Sequence, residues 1–195
     1  MRFDEYKLVC GPAMLTRICL FVLIWVFGNA INSRAQTTPP AEYALKAVFL
    51  YNFTNFVDWP DSIFADSSSA IVIAVIGDDP FGIYLDETIK NERVNNRPLT
   101  VSRYRDMHEI KNCQVLYISQ SESERASKIV DDLKGKSVLT VSDQSGFADA
   151  NVIIKFATEN KKIRLKIDVG AAEEVDLTIS SKLLRLADIV SSRKD

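Results

Sequence analysis

The sequence predicts an α/β fold, with a mostly parallel sheet, helices on both faces and an antiparallel hairpin near the C-terminus. Short runs of β-branched residues alternate along the chain with longer helical segments, as in strand–helix–strand units. These runs are continuously apolar, which is typical of strands buried on both faces. Near the end, Glu159-Asn160-Lys161 separates two adjacent strand patterns and indicates a hairpin turn.

The first element of the domain is a helix over Ala41 to Phe56. Trp59-Pro60 stops it, because the residue before proline disfavours helix. The helix is apolar over most of its circumference, as buried helices are. Most of its aromatic residues are expected to pack in the core. The alternative is that one side faces a partner, for which Tyr51, Phe56 and Trp59 are the candidate binding residues.

Strands and helices then alternate. Ala70 to Ile76 predicts a strand, and Gly77-Asp78-Asp79-Pro80 a turn into a helix over Phe81 to Asn91, with Asp79 as N-cap and Pro80 as first helical residue. Three further strands are predicted over Leu99 to Ser102, Gln114 to Ile118 and Ser137 to Val141, and the hairpin strands over Asn151 to Ala157 and Lys162 to Val169. Two further helices are predicted: Ser121 to Leu133, with a Ser121–Glu124 capping box, and a closing amphipathic helix over Ser180 to Val190.

The N-terminal segment has the pattern of a secretory signal peptide. Arg17 precedes the apolar run Ile18 to Phe27, which is too short to span a bilayer, and Ser33-Arg34-Ala35 predicts cleavage before Gln36. Met14 is an alternative start site, and a retained membrane anchor is the competing interpretation. The expected organisation is a signal peptide over 1–35, a linker over 36–40, one domain over 41–190 and a tail over 191–195.

Composition excludes several classes of function. A net charge of −2 offers no basic surface for nucleic acid. Only Cys113 follows the signal peptide, so the processed chain can form neither an internal disulfide nor a thiolate metal cluster. A buried apolar role for Cys113 is favoured over a redox or dimer-linking one. His108 is the only histidine and a G-x-S-x-G motif is missing, so we expect no catalytic residue, metal or cofactor.

Polar loops follow three of the predicted strands and should meet at the carboxyl edge of the sheet. Small ligands bind at this edge in open α/β sheets. Asp78 and Asp79 lie at the N-terminus of the predicted helix over Phe81 to Asn91, and their negative charge opposes phosphate binding there. Candidate ligand residues are Asp78, Ser119, Ser121 and Gln144, and Asp143 and Phe147 in the loop Ser142 to Asp149 are candidate partner-binding residues. The alternative is that these segments are polar only because they are exposed loops.

Several motifs, in order, resemble the YfiR family of bacterial periplasmic regulators. They are Lys46 to Phe53 with Phe56 to Pro60, Gly77 with Pro80-Phe81-Gly82, Cys113 to Ile118, Leu139 to Asp143 with Gly146-Phe147, and Ser180 to Leu184. The resemblance covers about Ala41 to Val190. It implies a non-enzymatic, dimeric periplasmic protein that represses an inner-membrane diguanylate cyclase by binding its periplasmic domain, and so lowers cyclic di-GMP. An outer-membrane lipoprotein would relieve this repression by sequestering the regulator.

The chain departs from this family pattern at two places. Well-studied members use paired cysteines, which Cys113 alone does not provide, and Ala150-Asn151 stands where many relatives have two glycines. The rival function is a periplasmic small-molecule sensor or binding protein that serves a histidine kinase or a transport system.

Overall fold

A computed structural model describes residues 41–110, 112–143, 150–160 and 162–191. The predicted signal peptide and linker, Gln144, Phe147 and residues 192–195 of the tail lie outside these residues. Within them, no helix is both long and apolar enough to cross a membrane.

The described chain contains ten strands, five α-helices and three short 3₁₀ segments. The strands are β1 Val57–Asp58, β2 Ile71–Ile76, β3 Arg93–Val94, β4 Arg97–Tyr104, β5 Val115–Ile118, β6 Leu139–Asp143, β7 Ile154–Glu159, β8 Lys162–Asp168, β9 Thr178–Ile179 and β10 Ala187–Val190. The α-helices are α1 Ala41–Phe56, α2 Ile83–Ile89, α3 Ala126–Asp131, α4 Val169–Glu173 and α5 Ser181–Leu184. The 3₁₀ segments are Asp61–Ile63, Met107–Glu109 and Gln120–Arg125.

Eight of the strands form one sheet in the order β10-β8-β7-β6-β5-β2-β4-β3. Five strands that are neighbours in the sheet pair in parallel, in the order β7, β6, β5, β2 and β4. The β7–β8 hairpin and the β3–β4 pair are antiparallel. This confirms the predicted mostly parallel sheet with an antiparallel hairpin near the C-terminus.

The parallel strands have the order of a doubly wound sheet of the flavodoxin type. The first of them, β2, lies between β4, the second, and β5, the third. In such sheets the strand order reverses between the first and third strands, and ligands bind outside their carboxyl ends. The loops after β2 and β5, which carry Asp78 and Ser119 to Ser121, lie at this switch point.

Helices cover both faces of the sheet, as predicted. On one face, the α1 residues Ala47, Leu50 and Phe53 are fully buried in a cluster with α2, α4 and α5. On the other face, Ala126 and Ile129 of α3 pack in a second cluster. Cys113 belongs to this second cluster and is 4% exposed, and burial raises the pKa of its thiol to about 12. This confirms the expectation that Cys113 is a buried, apolar residue.

The prediction of a C-terminal helix over Ser180 to Val190 was wrong. The helix ends at Leu184, and Ala187–Val190 forms β10, which pairs in parallel with β8. Ser180 caps the short helix by accepting a hydrogen bond from the Lys182 N–H. The spacing of the leucines is typical of a helix, whereas the β-branched Ile189 and Val190 are typical of a strand. Residues 187–190 form a strand because they can pair with the open edge of β8.

The predicted helix caps were also wrong, because tertiary contacts use the same side chains. Asp79 accepts a hydrogen bond from the Phe81 N–H at 2.7 Å and pairs with Arg103 at 2.6 Å, before α2 begins at Ile83. Ser121 lies inside the 3₁₀ segment, and its Oγ accepts a hydrogen bond from the Asp78 N–H at 2.9 Å. β4 is longer than the predicted Leu99 to Ser102 strand, and the β1–β9 pair was not predicted.

Replacing Gly77 should destabilise the fold strongly. Gly77 has φ +89°, and a Cβ there would collide with Ser121 Oγ and lie 2.7 Å from Glu122 Cγ. We expect Gly77→Ala to lower the free energy of unfolding by about 3 kcal/mol, from backbone strain and overpacking.

Gly135→Ala is the matched control, since Gly135 has φ +75° but open space at the Cβ position. It should cost about 1 kcal/mol. Urea unfolding measures both variants, and equal losses would show that the packing against Ser121 and Glu122 is unimportant.

Candidate functional site

A lysine is buried on the inner face of α1. Lys46 is 3% exposed and shares this face with Leu50 and Phe53, which follow it at helical spacing. A buried ammonium group is costly unless it is paired, so its partners define the site.

Asp143, the last residue of β6, is the main partner of Lys46. Its Oδ1 lies 2.7 Å from Lys46 Nζ, and the residue is 6% exposed. Its Oδ2 accepts hydrogen bonds from the hydroxyls of Tyr43 at 2.9 Å and Tyr117 at 3.0 Å. The carboxylate therefore joins α1, β5 and β6 at the carboxyl edge of the sheet.

Glu42 forms the exposed side of the same cluster. Its Oε1 lies 2.7 Å from Lys46 Nζ and accepts a hydrogen bond from Thr158 on β7 at 3.0 Å. The hydrogen bond from Lys46 is the largest cause that lowers the pKa of Glu42 below its usual value. One ammonium thus neutralises one of two carboxylates, and the cluster has a net negative charge.

Aromatic rings surround the ion pair. Lys46 Nζ lies 4.5 Å from the ring centroid of Tyr43 and 5.7 Å from that of Phe156, distances at which a cation is attracted to the ring face. Phe81 contacts the rings of Tyr117 and Tyr43 edge-on, at centroid distances of 4.7 and 5.7 Å. These rings and the burial of Lys46 and Asp143 limit the contact of this ion pair with water, which strengthens its electrostatic attraction.

Both tyrosine hydroxyls remain protonated near neutral pH. Burial, followed by the negative charge of Asp143, raises the pKa of Tyr43 to about 12. The same two causes raise the pKa of Tyr117 further. The two phenols therefore act as fixed hydrogen-bond donors to Asp143. We call Glu42, Tyr43, Lys46, Tyr117 and Asp143 the α1–β6 cluster.

The cluster borders an open cleft. Its lining consists of Glu42, Tyr43, Lys46, Gln120, Asp143, Phe156, Thr158 and Glu159. The cleft lies at the carboxyl edge of the sheet, where polar loops were expected to meet. Among the described residues, no group of three or more His, Cys, Asp or Glu side chains is arranged to hold a metal ion.

The predicted ligand residues Asp78, Ser119 and Ser121 all lie at the switch point, and two of them, Asp78 and Ser121, contact each other. Asp78 and Ser121 share a hydrogen bond, and Ser119 is 4% exposed, with its N–H donating to the Ile76 carbonyl. The segment that holds Ser121 and the buried Glu122 packs directly on Gly77. The close packing is therefore at Gly77, whereas Asp78 and Ser121 remain exposed.

The predicted partner-binding aromatic residues lie along α1 and just after it. Tyr51, Phe56 and Trp59 are partly buried against the core. The Tyr51 hydroxyl donates to Glu92 at 2.9 Å. The Trp59 Nε1 is buried and finds no acceptor within the described chain. The carboxylate of Asp143 is buried in the α1–β6 cluster.

Four residues of the α1–β6 cluster were not predicted from the sequence as site residues: Glu42, Tyr43, Lys46 and Tyr117. One feature of the sequence could have identified Lys46 as a buried residue. It lies four residues before Leu50 and seven before Phe53, on the side that the helix must bury. A glutamate one turn before a lysine also favours an ion pair. The pairing with Asp143 has no local signal, because the two residues lie on distant elements.

Replacing Lys46 should destabilise the fold far more than breaking an exposed ion pair. We expect Lys46→Met to lower the free energy of unfolding by about 3 kcal/mol, because it leaves the buried Asp143 carboxylate uncompensated. Adding Asp143→Asn to this variant should recover part of the loss.

Lys128→Met provides the control. Lys128 and Asp132 form an exposed pair, with side chains 75% and 45% exposed, and its loss should cost less than about 1 kcal/mol. Chemical denaturation compares the variants. A Lys46→Met variant as stable as Lys128→Met would contradict the structural role of the cluster.

The sequence profile of the YfiR/HmsC-like family matches residues 43–188. The match includes Tyr43, Lys46, Tyr117 and Asp143, and nearly all of the described fold. No curated protein sequence matches the chain. Because the profile covers well over half of its length, the chain belongs to the YfiR/HmsC-like family, whose members are periplasmic regulators.

Proposed function

We propose that this protein is a non-enzymatic periplasmic regulator that represses an inner-membrane diguanylate cyclase by binding its periplasmic domain. Membership of the YfiR/HmsC-like family supports regulation of such a cyclase. A regulator of this kind acts by binding one conformation of its receptor more tightly than another, which lowers the output of cyclic di-GMP. This mechanism requires a binding surface and no catalytic group.

An exposed apolar surface on α1 carries this proposal. Leu45 and Val48 are 48% and 41% exposed, and their spacing sets them on one side of the helix. The opposite side, which includes Ala47 and Leu50, is fully buried. We call Leu45 and Val48 the outer α1 surface. Exposed apolar residues on a rigid element are typical of protein-binding sites.

The α1–β6 cluster supports this surface from below. Lys46 lies between Leu45 and Val48 in sequence but points to the opposite side, where it is bound to Asp143. The outer α1 surface is therefore presented on a helix whose position is fixed at its first two turns. A fixed surface loses little conformational entropy on binding.

We also propose the export route to the periplasm and the two further partners that the family resemblance implies. Export through a cleaved signal peptide over residues 1–35 would bring the protein to the compartment of the cyclase sensor domain. A homodimer is the proposed regulatory form. An outer-membrane lipoprotein is the proposed antagonist, which would remove the protein from the cyclase.

Deleting the gene should raise intracellular cyclic di-GMP. Re-expression with the signal peptide should restore the lower level, whereas re-expression of residues 36–195 without it should not, because the regulator and the sensor domain would occupy different compartments. Nucleotide extraction and mass spectrometry measure the level. An unchanged level on deletion contradicts repression of a cyclase.

The alternative, a periplasmic small-molecule sensor, has one supporting observation. The cleft beside the α1–β6 cluster offers the carboxylates of Glu42 and Glu159 next to the ring of Phe156. An unchanged cyclic di-GMP level on deletion would favour this alternative.

A negative charge on the outer α1 surface should abolish repression without unfolding the protein. We expect Leu45→Glu in the exported protein to leave cyclic di-GMP at the deletion level, because a carboxylate would have to be desolvated in the interface. The thermal unfolding midpoint should stay close to that of the wild type, since Leu45 is half exposed.

Asn55→Glu is the control, because Asn55 is an exposed residue of the same helix and the substitution adds the same charge. It should repress normally. Normal repression by Leu45→Glu would exclude the outer α1 surface as the cyclase-binding site.

A further inference from the structure

β10 is an outermost strand of the eight-stranded sheet. It pairs in parallel with β8 from Ala187 to Val190, and within the described chain no strand lies on its other side. Its outward backbone N–H and C=O groups therefore have no strand partner among the described residues, and such an edge can accept a further strand.

The side chains of this edge are apolar and exposed. Leu186, Ile189 and Val190 are 70%, 55% and 39% exposed, and they make up half of the large exposed apolar side chains in the described chain. Asp188 is the only charged residue of the strand. We call Leu186 to Val190 the β10 edge.

The opposite edge of the sheet is protected in the ways that natural proteins use against strand pairing. β3 has only two residues, one of which is Arg93, and Asn95 and Asn96 turn the chain away with φ of 49° and 69°. The β10 edge has neither a positive charge nor a turn of this kind within the strand. The β10 edge is therefore the less protected of the two edges and the better candidate for pairing with a further strand.

We propose that the β10 edge pairs with the β10 edge of a second copy of this chain, antiparallel, about a two-fold axis perpendicular to the sheet. The pairing joins two eight-stranded sheets into one continuous sheet. The proposal rests on the homodimer included in the proposed function and assigns it a surface. The interface is isologous, so it closes after one addition and does not propagate into a fibre.

The faces of the strand restrict the register of this pairing. Ala187 and Ile189 pair with Leu165 and Ile167 of β8, so they lie on the α1 face of the sheet. Asp188 lies on the other face, because side chains alternate along a strand. A two-fold axis perpendicular to the sheet keeps each side chain on its own face, so every residue must pair with a residue that points to the same face. Because side chains alternate along the strand, this is possible only if the axis lies at one residue, which then pairs with the same residue of the second copy.

The axis can lie at either of the two central residues of the strand, Asp188 or Ile189, and electrostatics decides between these two registers. An axis at Asp188 would bring two carboxylates directly opposite each other, which is destabilising. An axis at Ile189 pairs Ile189 with its symmetry mate and sets each Asp188 opposite Val190 of the second copy. The strand is therefore self-complementary about Ile189, which is the argument for a second copy as its partner.

A four-residue pairing buries little area, so the dimer should be weak. Interfaces below about 1,200 Å² are typical of transient complexes, and we expect a dissociation constant on the order of 10 μM. At the local concentrations reached when two copies bind neighbouring receptors, a contact of this strength is sufficient to hold a dimer.

Three lysine substitutions test both the surface and the register. In Ile189→Lys, two lysines oppose each other at the axis, and the dissociation constant should rise at least tenfold. In Val190→Lys, each lysine opposes Asp188 of the second copy, so the dimer should be retained or tightened. Ile83→Lys is the control, because Ile83 is 66% exposed on α2, away from this edge, and dimerisation should not change.

Sedimentation velocity over low to high micromolar concentrations measures association, and circular dichroism melts establish that each variant is folded. A wild-type protein that stays monomeric throughout overturns the proposal, as does an Ile189→Lys variant that dimerises normally. Equal dissociation by Ile189→Lys and Val190→Lys overturns the Ile189-centred register.

The same variants separate this inference from the proposed function. Association is measured on the purified protein, without a cyclase, so a deletion that leaves cyclic di-GMP unchanged does not alter the result. Two results together would overturn self-pairing: a wild-type protein that is monomeric, and an Ile189→Lys variant that no longer binds a receptor domain. They would show that the β10 edge binds a different protein.

Discussion

The buried ion pair between Lys46 and Asp143 is the interaction on which the rest of the structure depends. It joins the first helix of the described chain to the carboxyl end of β6, and Tyr43 and Tyr117 complete the coordination of the same carboxylate. An unpaired ammonium on the inner face of α1 would oppose burial of Leu50 and Phe53 next to it. With Asp143 in place, that face can close over the sheet, and the position of the helix is fixed.

Local sequence patterns predicted those parts of the fold that depend on local causes. The apolar runs of β2 and β5 identify central strands because such strands must be apolar on both faces. The α1 prediction was correct in extent, and Trp59-Pro60 explains where the helix stops, because the residue before proline disfavours helix. The β7–β8 hairpin was found because its strands and turn are contiguous.

The failures concern residues whose role is decided by distant partners. Ser121 has the spacing of a helix cap, but its hydroxyl binds the Asp78 N–H. Ile189 and Val190 complete a helical pattern, yet they pair with β8. The candidate site shows the same limit: Tyr43 and Asp143 are 100 residues apart, and no spacing rule connects them. Asp143 was predicted to lie in the loop after a strand, whereas it is the last residue of β6, and its partners on α1 were predicted only as residues of a buried helix.

The outer α1 surface and the β10 edge use different physics and lie on different parts of the sheet. The first is a pair of apolar side chains on a helix, which under the proposed function would recognise the receptor by shape and burial. The second is a strand edge, which under the proposed pairing would recognise a second copy through its backbone and would need only a compatible register. If both proposals hold, the protein would bind its receptor and itself at the same time.

The strand order also has a consequence for how the polypeptide acquires its structure. Synthesis proceeds from the N-terminus, and each of β4, β5, β6, β7, β8 and β10 pairs with a strand that precedes it in the chain. The sheet can therefore grow outward from β2 as residues emerge. α1 is the exception, because it is made first but must wait for Asp143, and β1 must wait for β9. During that interval the most aromatic of the described helices is uncovered, which exposes this stage of folding to aggregation.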